Sequence, residues 1–286
     1  MINKIKLVIM AGGYGRRLWP LSTELNPKQF LRLCNGKSLF QRTLERHKFL
    51  EIKPLVMIQK LHYEIALEQI GEVNISCDVI VEPCPRGTAP CAVLGAIVSD
   101  AEKASVFVIA PSDHLIKDIT SYEADIKRSI WLASKDNIVT IGISPKSPNT
   151  EFGYIKVTKT YKNEEYNVVN FVEKPSLPYA KKYFADKSFY WNSGIFICGT
   201  RIFRNLAMIF EPEMYNTVNS AFMSGEIKDN ARYLGEIYSS IEDSNSIDYA
   251  FMQKISYSKM VKAQFDWKDM GSWEALSETC LTFSIT

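Results

Sequence analysis

An unbroken apolar run, Leu7-Val8-Ile9-Met10-Ala11, passes directly into Gly12-Gly13-Tyr14-Gly15, and no other feature restricts the fold as much. A short run without polar alternation suits a strand covered on both faces, the situation of a parallel sheet sandwiched between helices. The following segments keep that rhythm. Strands are predicted at Pro54 to Ile58, Asp78 to Val81, Val106 to Ala110 and Ile138 to Ile143. Helices are predicted between them, at Leu39 to Leu50, His62 to Ile70, Ala89 to Asp100 and Tyr122 to Ala133. Such alternation implies an α/β fold with a mostly parallel sheet and right-handed crossovers.

After Pro145 the texture changes. Tyr154 to Thr158 and Asn167 to Glu173 read as antiparallel strands joined by a charged turn at Lys162 to Glu165. A strand over Gly194 to Cys198 comes next, then helical segments from Thr200 to about Ser239. A late strand over Val261 to Phe265 and a closing helix over Trp273 to Leu281 complete the reading. With neither an internal repeat nor a low-complexity linker, the 286 residues read as one domain with an inserted half.

Composition narrows the class of function. A chain of this length buries roughly 75% of its unfolded surface, so its core needs no disulfide or structural metal. The six cysteines, Cys34, Cys77, Cys84, Cys91, Cys198 and Cys280, contain no CxxC pair, and there are only three histidines. That argues against a zinc site or a secreted disulfide framework and for reduced thiols in the cytoplasm. Net charge is +2, from 34 basic and 32 acidic residues, so no global field draws nucleic acid or an anionic membrane. The N-terminal apolar run is too short for a signal h-region, and no run approaches the roughly 18 apolar residues of a membrane span.

The glycine segment carries the first chemical signal. Gly12, Gly13 and Gly15 let backbone approach a ligand closely, and Arg16, Arg17 and Lys28 supply charge for phosphates. A preceding buried strand puts the loop at the carboxyl edge of the sheet, where α/β ligands bind. Two familiar glycine motifs do not fit. A dinucleotide fingerprint begun at Gly13 meets Leu18 where glycine is required. A P-loop begun at Gly12 meets Arg17, Leu18 and Trp19 in place of Gly, Lys and Ser or Thr. On these residues alone, a tight turn with solvated arginines competes equally with a phosphate cradle.

The wider pattern resembles the sugar-1-phosphate nucleotidyltransferase family. Gly12 to Ser22 with Pro27-Lys28-Gln29-Phe30-Leu31 is similar to its signature, in the tryptophan and glutamine variant of mannose-1-phosphate guanylyltransferases. The resemblance continues through Glu82-Pro83, Arg86-Gly87-Thr88-Ala89-Pro90, Pro111-Ser112-Asp113-His114 and Gly142-Ile143. Phe152-Gly153-Tyr154-Ile155, Phe171-Val172-Glu173-Lys174-Pro175, Trp191-Asn192-Ser193-Gly194, Ser246-Ile247-Asp248-Tyr249 and Asp269-Met270-Gly271-Ser272-Trp273 follow in order. It implies the Rossmann-like sheet of the nucleotide-diphospho-sugar transferases, with a nucleotide-binding half over about 1–145 and a sugar-binding half over about 146–286. One departure stands out: Glu151 precedes Phe152, where the family usually carries a small residue. A carboxylate there could repel phosphate or reshape the sugar pocket. A counterpart of the further C-terminal β-helix or isomerase of longer relatives is not expected in these residues, so the dimer contact of such a region is not implied and a homodimer stays open.

The resemblance also implies roles. Asp113 and Asp269 are expected as magnesium ligands, and Arg17 and Lys28 as the grip on the β- and γ-phosphates. Ala11, Gly12, Gly13, Gly15 and Arg86 belong to the nucleotide subsite, with Glu82 and Thr88 facing base or ribose. Lys174 holds the sugar phosphate beside Gly153, while Glu173 and Asn192 bond sugar hydroxyls. Pro175 is expected to hold Lys174 extended. His114 is expected as a structural hydrogen-bonding residue, Trp191 and Trp273 as core or pocket walls, and Arg16 as a solvated cation. Each Asp, taken singly, reads more plainly as a turn residue capping a backbone N–H. The substrates implied are GTP and mannose 1-phosphate. Another sugar 1-phosphate such as a manno-heptose, or a nucleotide-sugar sensor without catalysis, are the alternatives, and neither nucleic acid nor membrane is an expected partner.

Overall fold

A computed structural model describes residues 4–32, 36–159, 165–242, 246–255 and 257–271, with 273 and 276. Among these described residues thirteen strands occur in the order β1 Ile5–Met10, β2 Leu55–Gln59, β3 Asp78–Glu82, β4 Val106–Pro111, β5 His114–Leu115, β6 Ile138–Ile143, β7 Tyr154–Lys159, β8 Glu165–Val172, β9 Phe189–Gly199, β10 Glu226–Lys228, β11 Ala231–Tyr233, β12 Lys259–Lys262 and β13 Lys268–Asp269. Seven α-helices accompany them among the described residues: α1 Leu39–Arg46, α2 Tyr63–Val73, α3 Thr88–Ala101, α4 Ile119–Ala133, α5 Leu177–Ala185, α6 Thr200–Phe210 and α7 Pro212–Met223.

Eleven of the strands form one sheet in the order β10-β11-β3-β2-β1-β4-β9-β6-β12-β8-β7. β1 pairs in parallel with β2 and β4, β2 with β3, β3 with β11, and β6 with β12. Only β8, β9 and β10 run against the others, so the sheet is mostly parallel in direction, as expected. Successive residues of β1 enter opposite faces. Leu7 and Ile9 join a core with residues of α1, α2 and α4, whereas Val8 joins α3, α6 and α7. The fully apolar run of the first strand therefore serves two helical layers.

Local chemistry explains the helices that frame the site. Ser38 and Gln41 form a reciprocal capping box at the start of α1. In α3, a β-carbon added at Gly95 would lie 3.1 Å from Val8 Cγ2, so its small residues let the helix ride close to the sheet. Two sequence expectations change. The helical stretch read from Thr200 to about Ser239 is broken by the β10–β11 hairpin. Its turn residues Asp229 and Asn230 take φ of 50° and 63°, the left-handed geometry of a tight hairpin turn. The late strand lies at Lys259–Lys262, ahead of the predicted Val261 to Phe265. The charged turn lies largely outside the described residues, as does most of the closing helix.

β9 and β11 come from beyond residue 145 yet lie inside or beside the first-half sheet. β9 is sewn between β4 and β6, and β11 extends the β3 edge. The two halves therefore share one backbone hydrogen-bond network. No helix among the described residues is long and apolar enough to cross a membrane.

Candidate active site

The parallel register brings the carboxyl ends of four strands to one edge. Met10 lies opposite Met57 and Pro111, and Gln59 lies opposite Glu82. The glycine loop leaves β1 at this edge, where side chains pin its carbonyls. Gln29 Nε2 donates to the carbonyls of Ala11 and Gly13 at 2.8 Å each, and Gln59 donates to that of Gly12. Gly15 has φ of 62°, and a β-carbon there would lie 2.5 Å from Lys28 Cβ. Only glycine lets the loop turn and still pack on the Lys28 segment.

Lys28 is 6% exposed and bridges two carboxylates. Its Nζ donates to Asp113 Oδ2 at 2.9 Å and to Asp269 Oδ1 at 2.7 Å. Burial alone would lower its pKa, but the two aspartates outweigh burial and hold the ammonium above its ordinary value. For Asp113, burial pushes upward, yet the attraction of Lys28 dominates and keeps the carboxyl well below the usual range. Asp269 arrives from far along the chain because β13 pairs with β5, placing Asp269 opposite His114. Two oxygens already converge on one cation, and no third His, Cys, Asp or Glu joins them among the described residues. A pair of carboxylates completed by substrate phosphate suits magnesium, which favours oxygen ligands and keeps open positions.

Three adjoining cavities surround this centre. The first, about 290 Å³, is bordered by Gly12, Gly13, Glu82, Arg86, Thr88 and Asp113. The second, about 370 Å³, holds Gly15, Arg17, Lys28, Asp113, Lys174 and Asp269. The third, about 160 Å³, is bordered by Gly153, Glu173, Lys174, Asn192, Asp248 and Asp269. Asp113 is common to the first two, while Lys174 and Asp269 are common to the last two. The arrangement is a continuous trough, with the Lys28 centre at its middle.

The chain as a whole is similar to known proteins. The family model described as "Nucleotidyl transferase" matches residues 6–283. The chain belongs to the nucleotidyl transferase family. It is similar to the "Mannose-1-phosphate guanylyltransferase" of Klebsiella pneumoniae, with 35% identity over 278 residues, 95% of this chain and 59% of that protein. Among solved structures it resembles one from Thermus thermophilus described as a "mannose-1-phosphate geranyltransferase", at TM-score 0.86 and 30% identity. That match covers 98% of this chain and 79% of the other. A Helicobacter pylori structure described as "mannose-6-phosphate isomerase" matches at TM-score 0.81 and 35% identity, over 93% of this chain and 100% of the other. The chain thus spans about three-fifths of the Klebsiella relative's length.

In this chain, every residue singled out from the sequence as a site residue lines the trough except Ala11. Ala11 is 1% exposed, its N–H donates to Met57 O at 2.9 Å and its carbonyl accepts from Gln29, so its polar groups hold the framework. Glu82 is 3% exposed, and both the Tyr238 hydroxyl and the Cys91 thiol donate to its Oε1. Burial pushes its carboxyl up to about 7. Thr88 Oγ1 accepts from the Ile247 N–H at 3.0 Å, and Arg86 donates to the Ser239 carbonyl. Both therefore also tie the nucleotide half to the second half.

Arg17 pairs with Glu151 at 3.0 Å, so the departure at 151 meets an arginine across the trough. Gly153 is a close-approach glycine, since a β-carbon there would lie 2.5 Å from Glu173 Oε2. Lys174 Nζ pairs with Glu173 at 2.8 Å. Its backbone corrects the expectation drawn from Pro175. Lys174 has φ of 42°, in the left-handed region rather than extended, a conformation costly for a side-chain-bearing residue and typical of ligand clamps.

Asn192, expected to bond sugar hydroxyls, also makes hydrogen bonds within the protein. Its Oδ1 already accepts from Thr140 Oγ1 at 3.2 Å and from the Gly194 N–H at 3.1 Å. Its Nδ2 donates to Asp248 at 2.7 Å, leaving one N–H. The side chain of His114 also differs from expectation. Its ring packs edge-on against Trp267 at 5.3 Å, and Nδ1 has no hydrogen-bond partner among the described residues. Trp191 is core, but Trp273 is 48% exposed. Arg16's side chain lies outside the described residues.

Sequence reasoning missed Gln59, Tyr238 and the part played by Asp248. Gln59 was detectable in principle, because it is a polar residue ending an otherwise apolar strand at the ligand edge.

Proposed function

We propose that this chain transfers a guanylyl group from GTP to mannose 1-phosphate, giving GDP-mannose and pyrophosphate, in the cytoplasm. The observation that carries the reading is the meeting of Asp113, Asp269 and Lys28 beside the glycine loop, midway along the trough. A base and ribose fit the cavity under Glu82, the triphosphate the cationic middle, and the sugar the cavity beyond Lys174. The names of the relatives favour guanine and mannose.

In this reaction an oxygen of the sugar phosphate attacks the α-phosphorus of GTP. The bond from that phosphorus to the α–β bridging oxygen breaks, and its electron pair leaves with pyrophosphate. Such chemistry depends on positioning and charge neutralisation more than on a proton-abstracting base. Asp113 and Asp269 would hold magnesium, which when bound supplies positive charge to the phosphates. Lys28, held protonated by its surroundings, is placed to stabilise the leaving pyrophosphate, with Arg17 at the rim. Lys174 stands between the middle and sugar cavities, where it can orient the attacking phosphate. The pinned carbonyls of Ala11, Gly12 and Gly13 fix the loop before substrate arrives.

Pyrophosphate release with magnesium, across a panel of nucleoside triphosphates and sugar 1-phosphates, tests the reading. Turnover with GTP and mannose 1-phosphate, abolished in Asp113→Ala, is expected. Turnover only with a manno-heptose 1-phosphate would change the product, and nucleotide-sugar binding without any turnover would end the enzyme claim.

A further inference from the structure

Hydrogen-bond accounting in the third cavity identifies a residue to which the proposed reaction assigns no role. Asn192 Oδ1 accepts from the Gly194 N–H and shares the single Thr140 hydroxyl hydrogen with the Ile195 carbonyl, and one of its two Nδ2 hydrogens goes to Asp248. One N–H and part of the acceptor capacity of its oxygen remain for a polyol. The group it holds is different. Asp248 opens a single π-turn, Asp248–Met252, and borders the cavity with Glu173 and Lys174. Its Oδ1 accepts from Asn192, and Ser246 lies within hydrogen-bonding reach of the same carboxyl. A carboxylate has about four acceptor positions, so capacity remains after both contacts.

The surroundings explain why the group is unusual. Burial, then the neighbouring Glu173 carboxylate, push Asp248 up to about 7, while Lys174 acts in the opposite direction. Nothing in folding rewards two mostly buried carboxyls side by side at the wall of an open cavity. A ligand rich in hydroxyl groups would, because each carboxyl can take a separate O–H.

We propose that Asp248 is a sugar-binding residue, its carboxyl fixed by Asn192 and accepting one hydroxyl of the sugar beside the hydroxyl taken by Glu173. Asn192 then positions Asp248 through one N–H and keeps the other for the sugar. This rests on the reading of the trough as a nucleotidyltransferase site.

The test compares wild type, Asp248→Ala and Asp248→Asn at pH 8.5, where the carboxyl is ionised. Asn retains an acceptor for Asn192, so it separates sugar contact from simple positioning. Calorimetric titration with GDP-mannose, referenced to GDP alone, reads the sugar's contribution without requiring turnover. KM values for GTP and mannose 1-phosphate are measured in parallel. Both variants should lose about 10- to 100-fold in GDP-mannose affinity and show KM for the sugar phosphate raised by a similar factor, with GDP affinity and KM for GTP unchanged. Among monodeoxy mannose 1-phosphates, the analogue lacking the hydroxyl bound by Asp248 should match the parent sugar in Asp248→Ala. Wild-type affinity in Asp248→Asn, or an unchanged penalty for every deoxy analogue, would overturn the assignment. Absence of wild-type turnover with normal GDP-mannose binding would instead end the proposed reaction, and the binding measurements would still decide on Asp248.

Discussion

Glu82 shows how a single residue can tie the chemistry of this site to the stability of the fold. It is 3% exposed, receives Tyr238 and Cys91 on one oxygen, and has its carboxyl pushed up by burial from 4.5 to about 7. Between those two values the folded state binds the proton more tightly than the unfolded chain does. Stability from this group is therefore full below pH 4.5, declines as pH rises towards 7, and is level above that. Glu82→Gln preserves an acceptor for Tyr238 and removes the titration. The unfolding free energy of wild type relative to this variant should fall by roughly 3 kcal/mol between pH 4.5 and 7.5, read from denaturant titrations. A pH-independent difference would mean that Glu82 ionises like an exposed acid. At this scale the sequence was most informative about charge and least about satisfaction. Lys28, Asp113 and Asp269 could be named from motif resemblance, but nothing local to Asn192 indicates that Thr140 and Gly194 reach its oxygen from within the protein.

The glycine loop is the element where backbone geometry decides what substitution is possible. Gly15 has φ of 62° and no room for a β-carbon against Lys28, whereas a β-carbon on Gly13 would meet nothing within 4 Å. Gly15→Ala should therefore lose about 1–3 kcal/mol of stability and displace the Lys28 segment, while Gly13→Ala should unfold at nearly the wild-type midpoint. Equal midpoints for the two variants would contradict the packing described here. The strands of this region were legible because a run such as Leu7 to Ala11 carries its environment in its own residues. The β10–β11 hairpin was not. Its strands are only three residues each, and what holds them is the pairing of β11 with distant β3. Lys174 illustrates the same limit, since its left-handed backbone belongs to the ion-paired clamp and contradicts the local preference imposed by Pro175.

Across the whole molecule, the trough lies where the two halves meet, and the Arg17–Glu151 pair bridges it at 3.0 Å. Both side chains are 56% exposed, so the pair contributes no more than about 1 kcal/mol. If Glu151 competes with triphosphate for Arg17, Glu151→Ser should lower KM for GTP by at most about fivefold at low salt, with the gain vanishing near 1 M salt. A raised KM, or a gain insensitive to salt, would exclude that competition. The strand order also has a consequence for how the chain is made. β4 and β6 each take β9 as a neighbour, and β9 ends only at Gly199. A ribosome therefore delivers two apolar strands with open flanks long before the strand that closes them. During that interval the nascent protein exposes surface that chaperones cover; Phe189–Gly199 fills the gap between β4 and β6, and the far flank of β6 stays open until Lys259–Lys262 follows.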